Sequence, residues 1–163
     1  VSIFIESEIE FDFTRSSLAV KHDAANTIFP GVDFIIEEPH RWIWVEVKNW
    51  EGASVPAARR GGQRRSFLSK LRSNVFYTDT LRAKFTGTTT YLVLTGNHPK
   101  KEVLYIALLE SPKMESALMG HASRKLSQLI KRDSLWQITV NAAVMDLAEW
   151  NARFPEYPAR SVN

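Results

Sequence analysis

Two apolar runs only four residues apart constrain this chain more than any other feature. Residues 32–37 (VDFIIE) and 42–48 (WIWVEVK) are rich in β-branched and aromatic side chains, the composition of strands. Between them lies Glu38-Pro39-His40-Arg41, where proline cannot continue a central strand. So short a connection predicts an antiparallel hairpin. Strand alternation puts Trp42, Trp44, Glu46 and Lys48 on one face and Ile43, Val45 and Val47 on the other. In the first strand Val32, Phe34 and Ile36 share a face, with Asp33 and Ile35 opposite. If both apolar sets face one core, Asp33 emerges beside Glu46 and Lys48.

The rest of the chain supplies the elements around this hairpin. Residues 3–13 (IFIESEIEFDF) alternate with period two and predict one strand. Its apolar side is Ile3, Ile5, Ile9, Phe11 and Phe13, and Glu6, Glu8, Glu10 and Asp12 line the other. Thr14, Ser16 and Ser17 predict a short helical turn through about Lys21. Residues 22–31 read as a loop and residues 51–62 as a mobile loop. Residues 63–85 predict a long helix, with Phe67, Leu68, Leu71 and Val75 as its buried stripe and Gly87 as its stop. Residues 89–95 and 103–109 have the form of buried strands, with a turn at 97–100. Ser111-Pro112 predicts the start of a helix running to about Arg132, and residues 136–140 a last strand. Asp146 and Glu149 are spaced as a capping box before a short helix around Trp150. The expected fold class is α/β, a mixed central β-sheet flanked by helices, in a single domain over residues 1–163.

Composition narrows the function classes. The chain has no cysteine, which excludes a disulfide framework and thiolate zinc sites. No apolar run approaches the roughly 20 residues that span a bilayer, and the acids of residues 6–12 do not suit a signal peptide. The expected location is the cytoplasm, with no membrane partner. Net charge is only +3, but its distribution is uneven. Between residues 59 and 84 stand Arg59, Arg60, Arg64, Arg65, Lys70, Arg72, Arg82 and Lys84 against the single acid Asp79. Such a stretch is either a solvated helix face or a surface for phosphates.

Asp33, Glu46 and Lys48 carry the chemistry. Two carboxylates can hold Mg²⁺ or Mn²⁺, hard ions that prefer oxygen ligands. The backbone carbonyl of Val47 could complete the shell. Lysine can orient or deprotonate a water and offset charge on a phosphate. Trp42 and Trp44 share the face, to stack on bases or to pack under a helix. His22-Asp23 lacks the further ligands of a metal phosphohydrolase, although Asp23 precedes the strand that bears Asp33.

Asp33, then twelve residues, then Glu46-Val47-Lys48, resembles the signature of the PD-(D/E)XK nuclease superfamily. The resemblance implies a restriction-endonuclease-like fold and a metal-dependent nuclease acting on nucleic acid, DNA ahead of RNA. It assigns Asp33 and Glu46 as metal-binding acids and Lys48 as the catalytic lysine. In this chain Pro30 stands three residues before Asp33 rather than next to it. The superfamily often adds an acid from the N-terminal element, for which Glu6, Glu8 and Glu10 are candidates and Glu8 the choice by position. Some members carry a glutamine on the following helix, here Gln63. The expected nucleic-acid contacts are Arg59, Arg60, Gln63, Arg64, Arg65, Lys70 and Arg72. A homodimer is compatible with this reading, since double-strand cutters need two sites. The alternatives are a catalytically inactive nucleic-acid-binding module and a protein-interaction module on the same fold.

Overall fold

The computed structural model describes residues 2–23, 28–50, 56–111, 115–132 and 139–162. The expected hairpin is present. β4 (Phe34–Glu37) pairs antiparallel with β5 (Arg41–Asn49), and Glu38 N donates to Arg41 O across the turn at 2.9 Å. β3 (Leu18–Lys21) adds antiparallel to the outer side of β4. β6 (Glu102–Glu110) and β7 (Val140–Met145) continue parallel from β5, completing a mixed five-stranded sheet in the order β3-β4-β5-β6-β7. A second sheet of β1 (Ile3–Glu6), β2 (Ile9–Asp12) and β8 (Ala159–Ser161) is antiparallel in the order β1-β2-β8.

The N-terminal segment is therefore two strands, not one. Ser7 and Glu8 form a two-residue turn with φ of +50° and +61°, both left-handed, as a primed hairpin turn requires. Reversal swaps the faces. Phe4 lies opposite Phe11 and Glu6 opposite Ile9, so Ile3 and Ile5 point away from the core. They are exposed, whereas Ile9, Phe11 and Phe13 are fully buried. Nor is there a helical turn before Lys21. The Ser16 hydroxyl donates to Phe13 O and the Ser17 hydroxyl to Glu37 O, which leaves Leu18–Lys21 to pair with β4.

Both faces of the sheet are buried over its inner strands β4, β5 and β6, and β6 shows the division. Leu104, Ile106 and Leu108 pack with Phe34, Ile36, Ile43, Val45 and Val47 under the small sheet and α4 (Leu147–Arg153). Val103, Tyr105, Ala107 and Leu109 pack with Ile35, Trp44 and Val32 under the remaining helices. Val32 thus belongs to the helical side, not with Phe34. Strands covered on both faces read as continuous apolar runs.

The expected single helix over 63–85 is three consecutive segments. α1 (Ala57–Arg72) starts inside the stretch expected to be a loop and ends at Ser73, which is extended. Residues 51–55 lie outside the described residues. The break at Ser73 leaves Val75 exposed rather than in the stripe with buried Phe67 and Leu71. A π-helical segment (Phe76–Arg82) follows, then α2 (Ala83–Leu94). Carbonyls freed at these irregularities are met by buried tyrosines: Tyr77 Oη donates to Leu71 O at 2.9 Å and Tyr105 Oη to Leu81 O at 2.8 Å.

The expected strand at 89–95 is the second half of α2. Its β-branched run is helical because α2 is packed into the fold, with Thr88, Thr89 and Leu92 buried; Thr89 and Thr90 hydroxyls satisfy themselves by donating back to Phe85 O and Thr86 O. Gly87 does not stop the helix; it lets the helix approach Pro30, whose carbonyl oxygen a Cβ would overlap. The stop is Gly96 (φ +72°), where Gly96 N donates to Val93 O and Asn97 N to Leu92 O, a Schellman closure.

α3 (Ser116–Arg132) packs on β7 through Ser123, whose hydroxyl bonds both Val144 N and Val144 O. The expected start at Pro112 and residues 136–138 of the expected last strand lie outside the described residues; the observed strand is Val140–Met145. The capping box is present in part, with Asp146 Oδ1 accepting from Glu149 N at 2.7 Å. Among the described residues no helix is long and apolar enough to cross a membrane.

Candidate active site

Pairing of β4 with β5 brings the two acids together. Phe34 stands opposite Val45, and Asp33, the residue just before β4, steps out of that register and bonds back to the same residue of β5. Asp33 N donates to Val45 O at 2.9 Å, and Asp33 Oδ2 accepts from Val47 N at 2.6 Å. A strand residue's N–H and C=O point to the same neighbour, so the Val47 carbonyl is directed to the Asp33 side as well. Both acids are buried, Asp33 at 3% exposure and Glu46 at 0%. Trp44, on the same face, is fully buried against Phe85, which makes it a packing residue.

Two ammonium groups face this pair. Lys48 Nζ lies 2.6 Å from Glu46 Oε1. Lys84 Nζ, from the first turn of α2, lies 3.5 Å from Glu46 Oε2 and 3.9 Å from Asp33 Oδ1. The contacts to Glu46 are poorly aligned, so neither of its oxygens accepts a hydrogen bond of good geometry. A buried carboxylate without such donors is costly unless a cation meets it.

The electrostatics follow from this enclosure. Burial first, then the Glu46 charge, pushes Asp33 up to about 7, against the pull of Val47 N–H, Lys48 and Lys84. Burial also raises Glu46, and the two lysines oppose it. For Lys48 the desolvation that would lower its pKa is outweighed by Glu46, Asp33 and Glu6, so it is held above the ordinary lysine value.

Further carboxylates reach Asp33 from neighbouring strands. Glu6, Asp23 and Asp33 each offer an oxygen within 4.8 Å of the others. Oxygens this close can reach one Mg²⁺, whose opposite ligands stand about 4.2 Å apart. Among the described residues Asp23 Oδ1 is buried without a hydrogen-bond partner, and Glu6 is paired with Lys21 at 2.8 Å. Every donor here is a carboxylate or carbonyl oxygen. The residues therefore fit a hard divalent cation such as Mg²⁺ or Mn²⁺.

Glu6, rather than Glu8, is the N-terminal acid of this cluster; Glu8 occupies the hairpin turn with left-handed backbone. The alternation read over residues 3–13 hid this, because only the reversal at Ser7-Glu8 turns Glu6 inward. Lys84 was visible only as charge in the basic stretch. Its position depends on the break at Ser73 and the π-helical segment, neither of which has a periodic signal. Asp23 was visible through its place just before β4.

Of the basic stretch, Lys70 lines a cavity of about 330 Å³ together with Lys48, Asn49, Trp50 and Phe76. Arg59, Arg65 and Arg72 are exposed on α1. The side chains of Arg60, Gln63 and Arg64 lie outside the described residues. Comparison with family models, curated proteins and solved structures finds no significant match to this chain.

Proposed function

We propose that the chain is a metal-dependent nuclease with a restriction-endonuclease-like arrangement, hydrolysing phosphodiester bonds of nucleic acid, DNA ahead of RNA. The observation that carries the reading is the meeting of buried Asp33 and Glu46 at two neighbouring strands, with Lys48 at the mouth of a cavity. Asp33, Glu46 and the Val47 carbonyl would hold Mg²⁺ or Mn²⁺; Glu6 and Asp23 cluster with Asp33 but not with Glu46, so they offer Asp33 a second set of carboxylate neighbours. Such an ion supplies Lewis-acid polarisation of the phosphoryl oxygen and a more acidic bound water.

The protein's own contribution is charge and placement. Lys48 is held protonated by Glu46 and Asp33, which favours stabilising the charge that builds on the phosphate over abstracting a proton. Lys70 lines the same cavity and offers a second ammonium to the strand that enters it. Glu46 fixes the Lys48 ammonium beside the metal-binding oxygens.

One observation favours the inactive-module alternative. Lys84 stands between the two carboxylates and meets part of their charge without any metal. Calorimetric titration with Mn²⁺, paired with cleavage assays, separates the two. The nuclease reading expects Mn²⁺ uptake that Asp33→Asn abolishes, and cleavage that Lys48→Met lowers by at least about a hundredfold. Absence of uptake, or equal cleavage by the wild type and Lys48→Met, would reject it.

A further inference from the structure

A larger cavity, about 570 Å³, opens on the other side of the acid cluster, between edge strand β3 and the end of α2. Its size is that of a small-molecule or nucleotide site. Its walls are mostly apolar: Leu18 and Val20, exposed at 47% and 39%, share one face of the sheet with Ile35 and Trp42, and Tyr91 and Leu92 come from α2. Asn97 and Lys100 stand exposed at the rim.

We propose that this cavity takes an unstacked nucleobase of the strand whose phosphodiester enters the acid site; the inference rests on the nuclease reading. Three observations carry it. The lining combines flat aromatic faces with aliphatic walls, which suits a ring of any base. The cavity also lies at the carbonyl end of α2, where the helix dipole disfavours a bare phosphate and leaves a neutral ring preferred. Of the lysines at the opening, Lys101 is paired with Glu37 and Lys21 with Glu6, and exposed Lys100 at the rim stands where a backbone phosphate of the seated nucleotide would lie.

Residues 21–23 run from the lining of the cavity to the acids. Lys21 and His22 line it, His22 N donates to Asp33 O at 2.8 Å, and Asp23 enters the carboxylate cluster. The His22 ring meets Tyr91 edge-on at 5.1 Å and fixes the aromatic wall. A nucleotide seated there adjoins the site, so the enzyme would prefer single-stranded or frayed substrate.

The test is binding of a short fluorescein-labelled oligothymidylate to the full chain in EDTA, read by anisotropy, beside its blunt duplex. Val20→Glu, Leu18→Glu and Tyr91→Ala are compared, with circular dichroism and thermal melting confirming that each folds. Val20 and Leu18 are surface positions, so these two variants keep the test open if Tyr91→Ala does not fold. The expected result is single-strand binding weakened about five- to a hundredfold in each variant, with duplex binding changed much less. Unchanged single-strand affinity in the folded variants overturns the pocket, and Mn²⁺-dependent cleavage by the wild type would then leave the nuclease reading intact. Variant-sensitive single-strand binding without Mn²⁺ uptake or cleavage supports the pocket and overturns the nuclease reading. No single-strand binding by the wild type overturns the pocket.

Discussion

The backbone N–H of Val47 donates to the Asp33 carboxylate across 2.6 Å, tying the acid of one strand to the Glu46-Val47-Lys48 tripeptide of the next. Asparagine can accept the same hydrogen bond, and alanine cannot. Asp33→Asn should therefore fold with the Val47 contact kept and divalent-metal uptake lost. Asp33→Ala leaves a buried N–H without a partner, which costs about 1–3 kcal/mol. Urea unfolding should place Asp33→Ala below Asp33→Asn by that amount. Equal stability would mean that the Val47 bond is immaterial to the fold.

The raised pKa of Asp33 makes a prediction with a definite sign. Its ordinary value is 3.8 and its folded value about 7. The folded protein keeps a proton that the unfolded chain has released, so stability is highest below this window, falls as pH rises through it and is level above. Glu46, raised chiefly by burial, acts in the same sense. His22, lowered chiefly by burial, acts oppositely as pH rises towards 6.5. Asp33→Asn removes the first contribution alone. In EDTA the wild type should lose stability relative to Asp33→Asn between about pH 4 and about pH 7. Denaturation at several pH values checks this, and parallel curves for the two proteins would contradict it.

Lys84 bears on both acids, and its removal separates two roles. If its ammonium competes with the metal, Lys84→Met should tighten Mn²⁺ binding at least about tenfold, by removing a positive charge within 4 Å of both ligands. The metal-free protein should lose up to about 3 kcal/mol, because buried carboxylates lose a counter-charge. If Lys84 instead grips the phosphate, metal affinity stays constant and cleavage falls. Calorimetry and cleavage on the same preparation distinguish the outcomes.

How legible these relationships were depended on how local their causes are. The β4–β5 hairpin, and with it the meeting of Asp33 with Glu46, follows from two apolar runs and a short turn. β6 follows from a nine-residue run whose alternation serves two cores. Glu6 was obscured because Ser7-Glu8 turns the chain without a glycine, asparagine or proline to signal it. Residues 89–95 look like a strand by propensity, and the packing of α2 on residues 30–32 overrides that propensity. β8 is three residues long and exists through its pairing with β2, which no local pattern announces.

The same packing gives opposite signs to two glycine substitutions. In an exposed helix interior, replacing glycine with alanine gains about 0.8–1 kcal/mol. Gly62, in α1, has nothing within 4 Å of where a Cβ would stand, so Gly62→Ala should stabilise the protein by up to about that amount. Gly87 is in the middle of α2, and a Cβ there would overlap the Pro30 carbonyl oxygen and lie 2.9 Å from its carbon. Backbone cannot rotate aside as a side chain can. The neighbouring contact, Val32 N donating to Thr88 Oγ1 at 2.9 Å, holds the two segments together. Gly87→Ala must therefore separate them, at about 1–3 kcal/mol. Lys84 lies three residues before Gly87, one turn away on the same side of α2, so the separation also withdraws its ammonium from Asp33. Gly87→Ala should lower stability in urea and alter Mn²⁺ affinity in the direction of Lys84→Met. A stabilised Gly87→Ala would show that α2 does not approach Pro30 this closely.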